Sequence, residues 1–150
     1  MNTTLTNNEK TRILMICTGN TCRSPMAEYL ARHIAEKKGL SDRYLFRSAG
    51  VQVEADAAVA ENAVEALREI GIELAGHVPT PLSSVPLAQF DQIYVMSYAH
   101  KRAVLNAARQ VPNFGNRLVV MDIVDPYGQD LDAYRSCRDA LSDFLSARII

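Results

Sequence analysis

The chain has 150 residues, enough for one domain with a sizeable core, since a chain of that size buries roughly 70% of its unfolded surface. With 16 basic and 17 acidic residues the net charge is −1, which argues against nucleic acid or an anionic membrane as a partner. No apolar run reaches transmembrane length, the polar opening MNTTLTNNEKTR has no signal-peptide core, and 3 cysteines cannot all pair, so a reducing, cytoplasmic setting and a monomer are expected.

Residues 1–10 read as a flexible tail, and 11–150 as a single domain. RILMIC (12–17) is a short apolar run and predicts a buried strand. SPMAEYLARHIAEKKGL predicts a helix with Met26, Leu30 and Ile34 on its buried stripe. Ser24 suits its N-cap, Pro25 its first position, and Gly39 its end. Glu28, Arg32 and Glu36 read as its solvated face. RYLFRSAG (43–50) predicts a second strand. VAENAVEALREIG (59–71) predicts a second helix that buries Ala60, Ala63, Val64, Leu67 and Ile70. Residues 76–89, rich in proline and hydroxyls, form a long connection. DQIYVM (91–96) and RLVVM (117–121) predict strands three and four. AHKRAVLNAARQ (99–110) and DLDAYRSCRDALSDFL (130–145) predict the last two helices, the final one with Leu131, Tyr134, Leu141 and Leu145 at helical spacing. Apolar strands alternating with helices predict an α/β domain: a four-stranded parallel sheet with helices on both faces.

Parallel sheets bind ligands beyond the carboxyl ends of their strands. That edge receives Cys17 to Ser24 after the first strand, Ser48 from the second, and DIVDPYG (122–128) after the fourth. A loop that opens a helix carries unpaired N–H groups and a partial positive charge, and so forms a nest for an anion. Gly19 permits a tight backbone turn and Asn20 tolerates a left-handed one. Thr18, Gly19, Asn20, Thr21, Cys22 and Ser24 therefore line a phosphate-binding loop between strand one and helix one. Cys17 sits at its floor. A helix N-terminus and a nearby guanidinium favour the thiolate, which is the nucleophilic form. Arg23 offers a planar fork that matches two phosphate oxygens. Displacement at phosphorus by Cys17 follows, with charge on the equatorial oxygens stabilised by the nest and Arg23. Asp125, stiffened by Pro126, is the expected general acid. Cys137 falls on the apolar stripe of the last helix and reads as core. His33, His77 and His100 lack metal-ligand spacing, and no Cys-x-x-Cys pair exists, so neither a metal nor a cofactor is expected.

CTGNTCRSPMAE closely resembles the signature of the low-molecular-weight protein tyrosine phosphatases. The similarity extends through SAG (48–50), His77 and DPYG (125–128), in the family's order. It implies a protein phosphatase acting on phosphotyrosine-type phosphomonoesters. Cys17 is then the nucleophile that becomes a cysteinyl-phosphate, Arg23 the phosphate clamp, and Asp125 the acid that later activates water. Ser24 supports the thiolate, and Asn20, Ser48 and His77 hold the loop. Cys22 matches a second loop cysteine that can form a protective disulfide with the nucleophile. The implied partner is a phosphorylated protein.

Two positions depart from the tyrosine-specific pattern. VQVEADA follows SAG where the family often carries an aromatic residue, leaving Tyr127 as the available lip aromatic. Thr21 stands where a bulky aliphatic residue is commoner. Thr21 and HVPTPLS (77–83) both resemble the bacterial protein arginine phosphatase branch, so phosphoarginine is the alternative substrate. An arsenate reductase is a remoter alternative, weakened because VMSYAHKRAVLNAARQ lacks the two relay cysteines.

Overall fold

The computed structural model describes residues 9–150; most of the tail expected over 1–10 lies outside the described residues. Eight main elements alternate along the chain: β1 (Thr11–Cys17), α1 (Arg23–Lys37), β2 (Tyr44–Gly50), α2 (Glu61–Arg68), β3 (Gln92–Val95), α3 (Tyr98–Ala107), β4 (Leu118–Val120) and α4 (Leu131–Arg148). The strands form one sheet in the order β2-β1-β3-β4, and every pairing is parallel. The expected α/β sheet is therefore present, with each strand within two residues of its predicted bounds.

The alternation of β1 across the sheet explains its apolar run. Ile13, Met15 and Cys17 face the layer that contains α1, α2 and α4. Leu14 and Ile16 face the opposite layer, with Val104 and Ala108 of the α3 side and Phe114. From Ile13 to Ile16 the strand is buried on both faces and has no polar side, and each of these four side chains contributes about 1.5–3 kcal/mol on burial.

Several local expectations change. The first helix starts at Arg23, and its N-cap position is Cys22, with no side-chain cap. Ser24 is thus inside the first turn, where its hydroxyl serves the site below. Pro25 becomes the third helical residue, still within the turn whose N–H groups have no helical acceptor, so it breaks no bond. The second helix ends at Arg68. Gly71 adopts φ +82, and Ile72 donates back to the Leu67 carbonyl at 3.0 Å. This left-handed exit takes Ile70 off the stripe, leaving it 41% exposed. The last helix extends to Arg148, with Cys137 in its buried stripe.

Candidate active site

The chain leaves β1 toward one face of the sheet and β3 toward the other, since their following helices belong to different layers. Adjacent strands with diverging exits open a crevice at their carboxyl ends. Cys17, the last residue of β1, lies at its floor.

The loop above it is tied down by its carbonyls. Val51 donates to the Cys17 oxygen at 3.1 Å, Gln52 to Thr18 at 2.9 Å, Ala60 to Thr21 at 2.9 Å, and Met26 to Cys22 at 3.1 Å. With those oxygens held from outside, the loop amides from Gly19 to Arg23 are left without a backbone acceptor among the described residues. Unpaired N–H groups converging at a helix start are the elements of an anion nest. Asn20 makes the turn, at φ +56. Gly19 does not supply the freedom expected of it. Its φ is not left-handed, and an added Cβ would lie 3.6 Å from Thr21, an ordinary contact. The glycine the loop requires is Gly50, where a Cβ would fall 2.6 Å from the Thr18 carbonyl oxygen and 2.9 Å from the Asn20 nitrogen.

A directional hydrogen-bond chain underlies the loop. The Asn20 amide nitrogen donates to Ser24 Oγ at 2.8 Å and Ser48 Oγ at 3.0 Å. Its oxygen accepts from the Thr80 N–H at 2.9 Å and pairs with His77 Nε2 at 3.0 Å. An acceptor oxygen requires a donor, so His77 carries its proton on Nε2. Burial holds the pKa of His77 below the ordinary value, which keeps the ring neutral in that role. Ser24 Oγ, already an acceptor from Asn20, has one hydrogen to give, with Cys17 Sγ at 2.9 Å the nearer acceptor and the Ala49 carbonyl at 3.4 Å the farther. Ser48 passes its hydrogen to Glu28 at 2.5 Å, and Arg32 donates to the other Glu28 oxygen. Asn20 is fully buried, so an incomplete set would cost about 1–3 kcal/mol for each unpaired group.

Arg23 is buried with one nitrogen on the Ile123 carbonyl at 2.9 Å and another 3.5 Å from the Asp125 carboxylate. The Asp125 carboxylate also accepts the Tyr127 N–H at 3.0 Å, so the loop after β4 presents the acid over the nest. The cavity has a volume of about 510 Å³ and is lined by Cys17, Thr18, Gly19, Thr21, Cys22 and Arg23, with Gln52, Glu54, Ala57, Ala58, Ala60, Asp125 and Tyr127 completing it. Tyr127 is 73% exposed. Among the described residues no three of His, Cys, Asp and Glu are grouped so as to hold a metal ion.

Every candidate from the sequence is thus brought to one sheet edge or to the polar chain beneath it. Cys22 is buried against Tyr134 and Thr21, and burial pushes its thiol pKa up. Cys137 lies in the core, its thiol pushed up to about 12 by burial.

Four contributors were not legible as such. Glu28, expected on a solvated face, is 5% exposed and closes the chain to Ser48. Its neighbour Arg32 is drawn in by the same carboxylate and by the Phe46 carbonyl. His100, given no role from the sequence beyond its lack of metal-ligand spacing, is buried and contacts Thr18. Glu54 lines the cavity wall. The third strand's end was the available signal for His100, because the crevice forms between β1 and β3.

A family model described as low molecular weight phosphotyrosine protein phosphatase matches residues 12–147. The protein-arginine-phosphatase of Bacillus subtilis is 37% identical over 142 residues, covering 89% of this chain and 91% of that protein. The low molecular weight phosphotyrosine protein phosphatase of Sus scrofa is 29% identical, covering 89% and 92%. A solved structure of the YwlE arginine phosphatase, a cysteine-to-serine mutant with a phosphorylated active-site serine, superposes with a TM-score of 0.81 at 35% identity, over 92% of this chain and 93% of that one. With a match spanning nearly the whole described chain, this protein belongs to the low molecular weight phosphotyrosine protein phosphatase family.

Proposed function

We propose that this chain is a protein phosphatase that works through a phosphoryl group carried on Cys17. The observation that carries the reading is the Ser24 hydroxyl 2.9 Å from Cys17 Sγ. Sγ is the nearer acceptor for that hydroxyl's hydrogen, the Ala49 carbonyl lying at 3.4 Å, while the hydroxyl oxygen accepts from Asn20. That donor and the start of α1 both present partial positive charge to the sulfur. Sulfur attacks phosphorus, forming an S–P bond as the bond to the leaving atom breaks. Asp125 gives that atom its proton. Water then attacks phosphorus, Asp125 takes the water's proton, and the S–P bond breaks to release phosphate and restore the thiolate. Arg23 and the loop amides hold the equatorial oxygens throughout. The phosphorylated serine in the YwlE mutant supports a covalent intermediate at the corresponding position.

Phosphotyrosine is the substrate class implied by the family's description. A second reading, phosphoarginine, is favoured by the cavity wall. It carries the Thr21 hydroxyl, the Glu54 and Asp125 carboxylates and three small alanines, with Tyr127 as its aromatic residue. A guanidinium leaving group brings several N–H donors, which polar acceptors satisfy and an apolar slot does not. Cys22 is the thiol that would form a disulfide with an oxidised Cys17.

The test is rapid-quench trapping with a ³²P-labelled phosphopeptide. Wild-type protein should accumulate covalent label on Cys17, and Cys17→Ser should lose turnover while still binding phosphate. A Cys17→Ser variant within about tenfold of wild-type turnover would remove Cys17 from the mechanism.

A further inference from the structure

His100 lies where β3 gives way to α3, on the far side of the crevice from α1. Ser97 is the N-cap of α3, and its Oγ accepts the His100 backbone N–H. His100 is the third residue of that helix and 5% exposed. Both ring nitrogens are engaged. Nδ1 lies 2.9 Å from Ser97 Oγ, and Nε2 lies 2.9 Å from Thr18 Oγ1. Thr18 is the residue after Cys17 and lines the cavity.

Hydrogen counting allows this chain two directions, one for each tautomer of the ring. In one, Ser97 Oγ, which accepts the His100 backbone N–H, gives its single hydrogen to Nδ1; in the other its second lone pair accepts from Nδ1–H. A neutral ring with Nδ1 as acceptor carries its proton on Nε2. Burial and the nearby Arg23 charge lower the His100 pKa, with Asp125 opposing them, and a neutral ring has one tautomer to choose. With Nδ1 the acceptor, Nε2–H donates to Thr18 Oγ1. The Thr18 hydroxyl, held through its oxygen, keeps its own hydrogen for the cavity side.

We propose that His100 is a positioning residue that, through its Nε2–H, turns the Thr18 hydroxyl into a fixed donor toward a phosphoryl oxygen of the bound substrate. This rests on the phosphatase reading. It adds a second support to the loop, independent of the Asn20 chain. Asn20, Ser24 and Ser48 hold the nest from the β2 side, whereas Ser97 and His100 reach it from the β3 side. It also gives the loop a side-chain donor beside its backbone amides.

Two measurements test it. In the resting wild-type enzyme, ¹⁵N-imidazole spectra should show His100 bare at Nδ1 and protonated at Nε2. The opposite tautomer would make Thr18 the donor to the ring and overturn the proposal. That measurement needs no turnover, so it stands apart from the phosphatase reading, which an absence of hydrolysis of any aryl phosphate or phosphopeptide would sink. The second measurement is a double-mutant cycle. Thr18→Val and His100→Leu should each lower kcat and weaken binding of inorganic vanadate by about three- to tenfold, the range of one hydrogen bond. The double variant should be no worse than the poorer single one. His100→Gln, whose amide nitrogen can occupy the Nε2 position, should restore most of kcat. Additive losses, or a glutamine variant as poor as leucine, would mean that the ring only fills space.

Discussion

Beneath Cys17, the Asn20 amide is satisfied at both ends, and Ser24, Ser48 and Glu28 each pair inside the protein. Above it, Asp125 and Tyr127 are exposed on a loop, and Glu54 stands at an open wall with alanines beside it. The lower half is a closed set of donors and acceptors in which each bond fixes the direction of the next. Its geometry is over-determined, as charge stabilisation requires of groups that must not reorganise during reaction. The upper half makes few commitments. Different side chains can be accommodated there without disturbing the floor. On the proposed reading, the nucleophile and the support of its loop belong to the buried half, and the exposed half carries the Asp125 proton and the choice of substrate.

Arg23 stands at the boundary, so replacing it should give the largest effect. Arg23→Lys keeps the charge but cannot span two equatorial oxygens while holding the Ile123 carbonyl. We expect kcat to fall by about 10³-fold. A variant with nearly full kcat would place the clamp elsewhere. Asp125→Asn comes next, with about 10²-fold expected for a substrate with a poor leaving group and far less for an activated aryl phosphate. Equal losses for good and poor leaving groups would sever Asp125 from the leaving-group proton and leave it only as the partner of Arg23.

Gly50→Ala tests the floor without touching a polar atom. The new methyl would overlap the Thr18 carbonyl and the Asn20 amide, both backbone atoms with little room to move. A loss of about 1–3 kcal/mol in stability is expected, the usual range for overpacking, together with a fall in kcat. Chemical denaturation and steady-state kinetics measure the two. An alanine variant of native stability and rate would show that the loop can shift against β2, and the contrast between a rigid floor and a permissive rim would fail.

The same contrast marks what could be read from the sequence. Period and apolar runs disclosed the sheet, because β1 is buried on both faces and cannot look like anything else. The loop was legible because its residue types crowd into eight positions. Glu28 was not, since a carboxylate four residues before an arginine on a helix is ordinarily a surface pair. Only the distant Ser48 hydroxyl and Phe46 carbonyl turn that pair inward. Gly50 escaped for a related reason. Its requirement comes from the Thr18 and Asn20 backbone, thirty or more residues away in the chain, so Gly19, within the loop itself, drew the attention. Ser24 looked like a cap because the helix pattern starts there, and its hydroxyl was claimed instead by Cys17.

The smallest effect should come from the rim. Thr21 lines the cavity next to Cys22, and an isoleucine there offers no acceptor to a guanidinium. A desolvated N–H donor without a partner costs about 1–3 kcal/mol, whereas the ring of a phosphotyrosine loses nothing against a methyl group. Thr21→Ile should therefore lower kcat/KM for a phosphoarginine peptide more than for a phosphotyrosine peptide, shifting the ratio by about tenfold, or 1.4 kcal/mol. Tyr127→Ala should move the same ratio the other way, because it removes the aromatic face available to a phenyl ring; its 73% exposure limits the shift to about three- to fivefold. Both peptides are assayed on wild type and both variants at one salt concentration, so that screening of Glu54 and Asp125 is constant. Opposite movements would establish the rim as the selector. A ratio that stays fixed in Thr21→Ile would take away the cavity's preference for a guanidinium, and phosphotyrosine would then be the substrate to pursue.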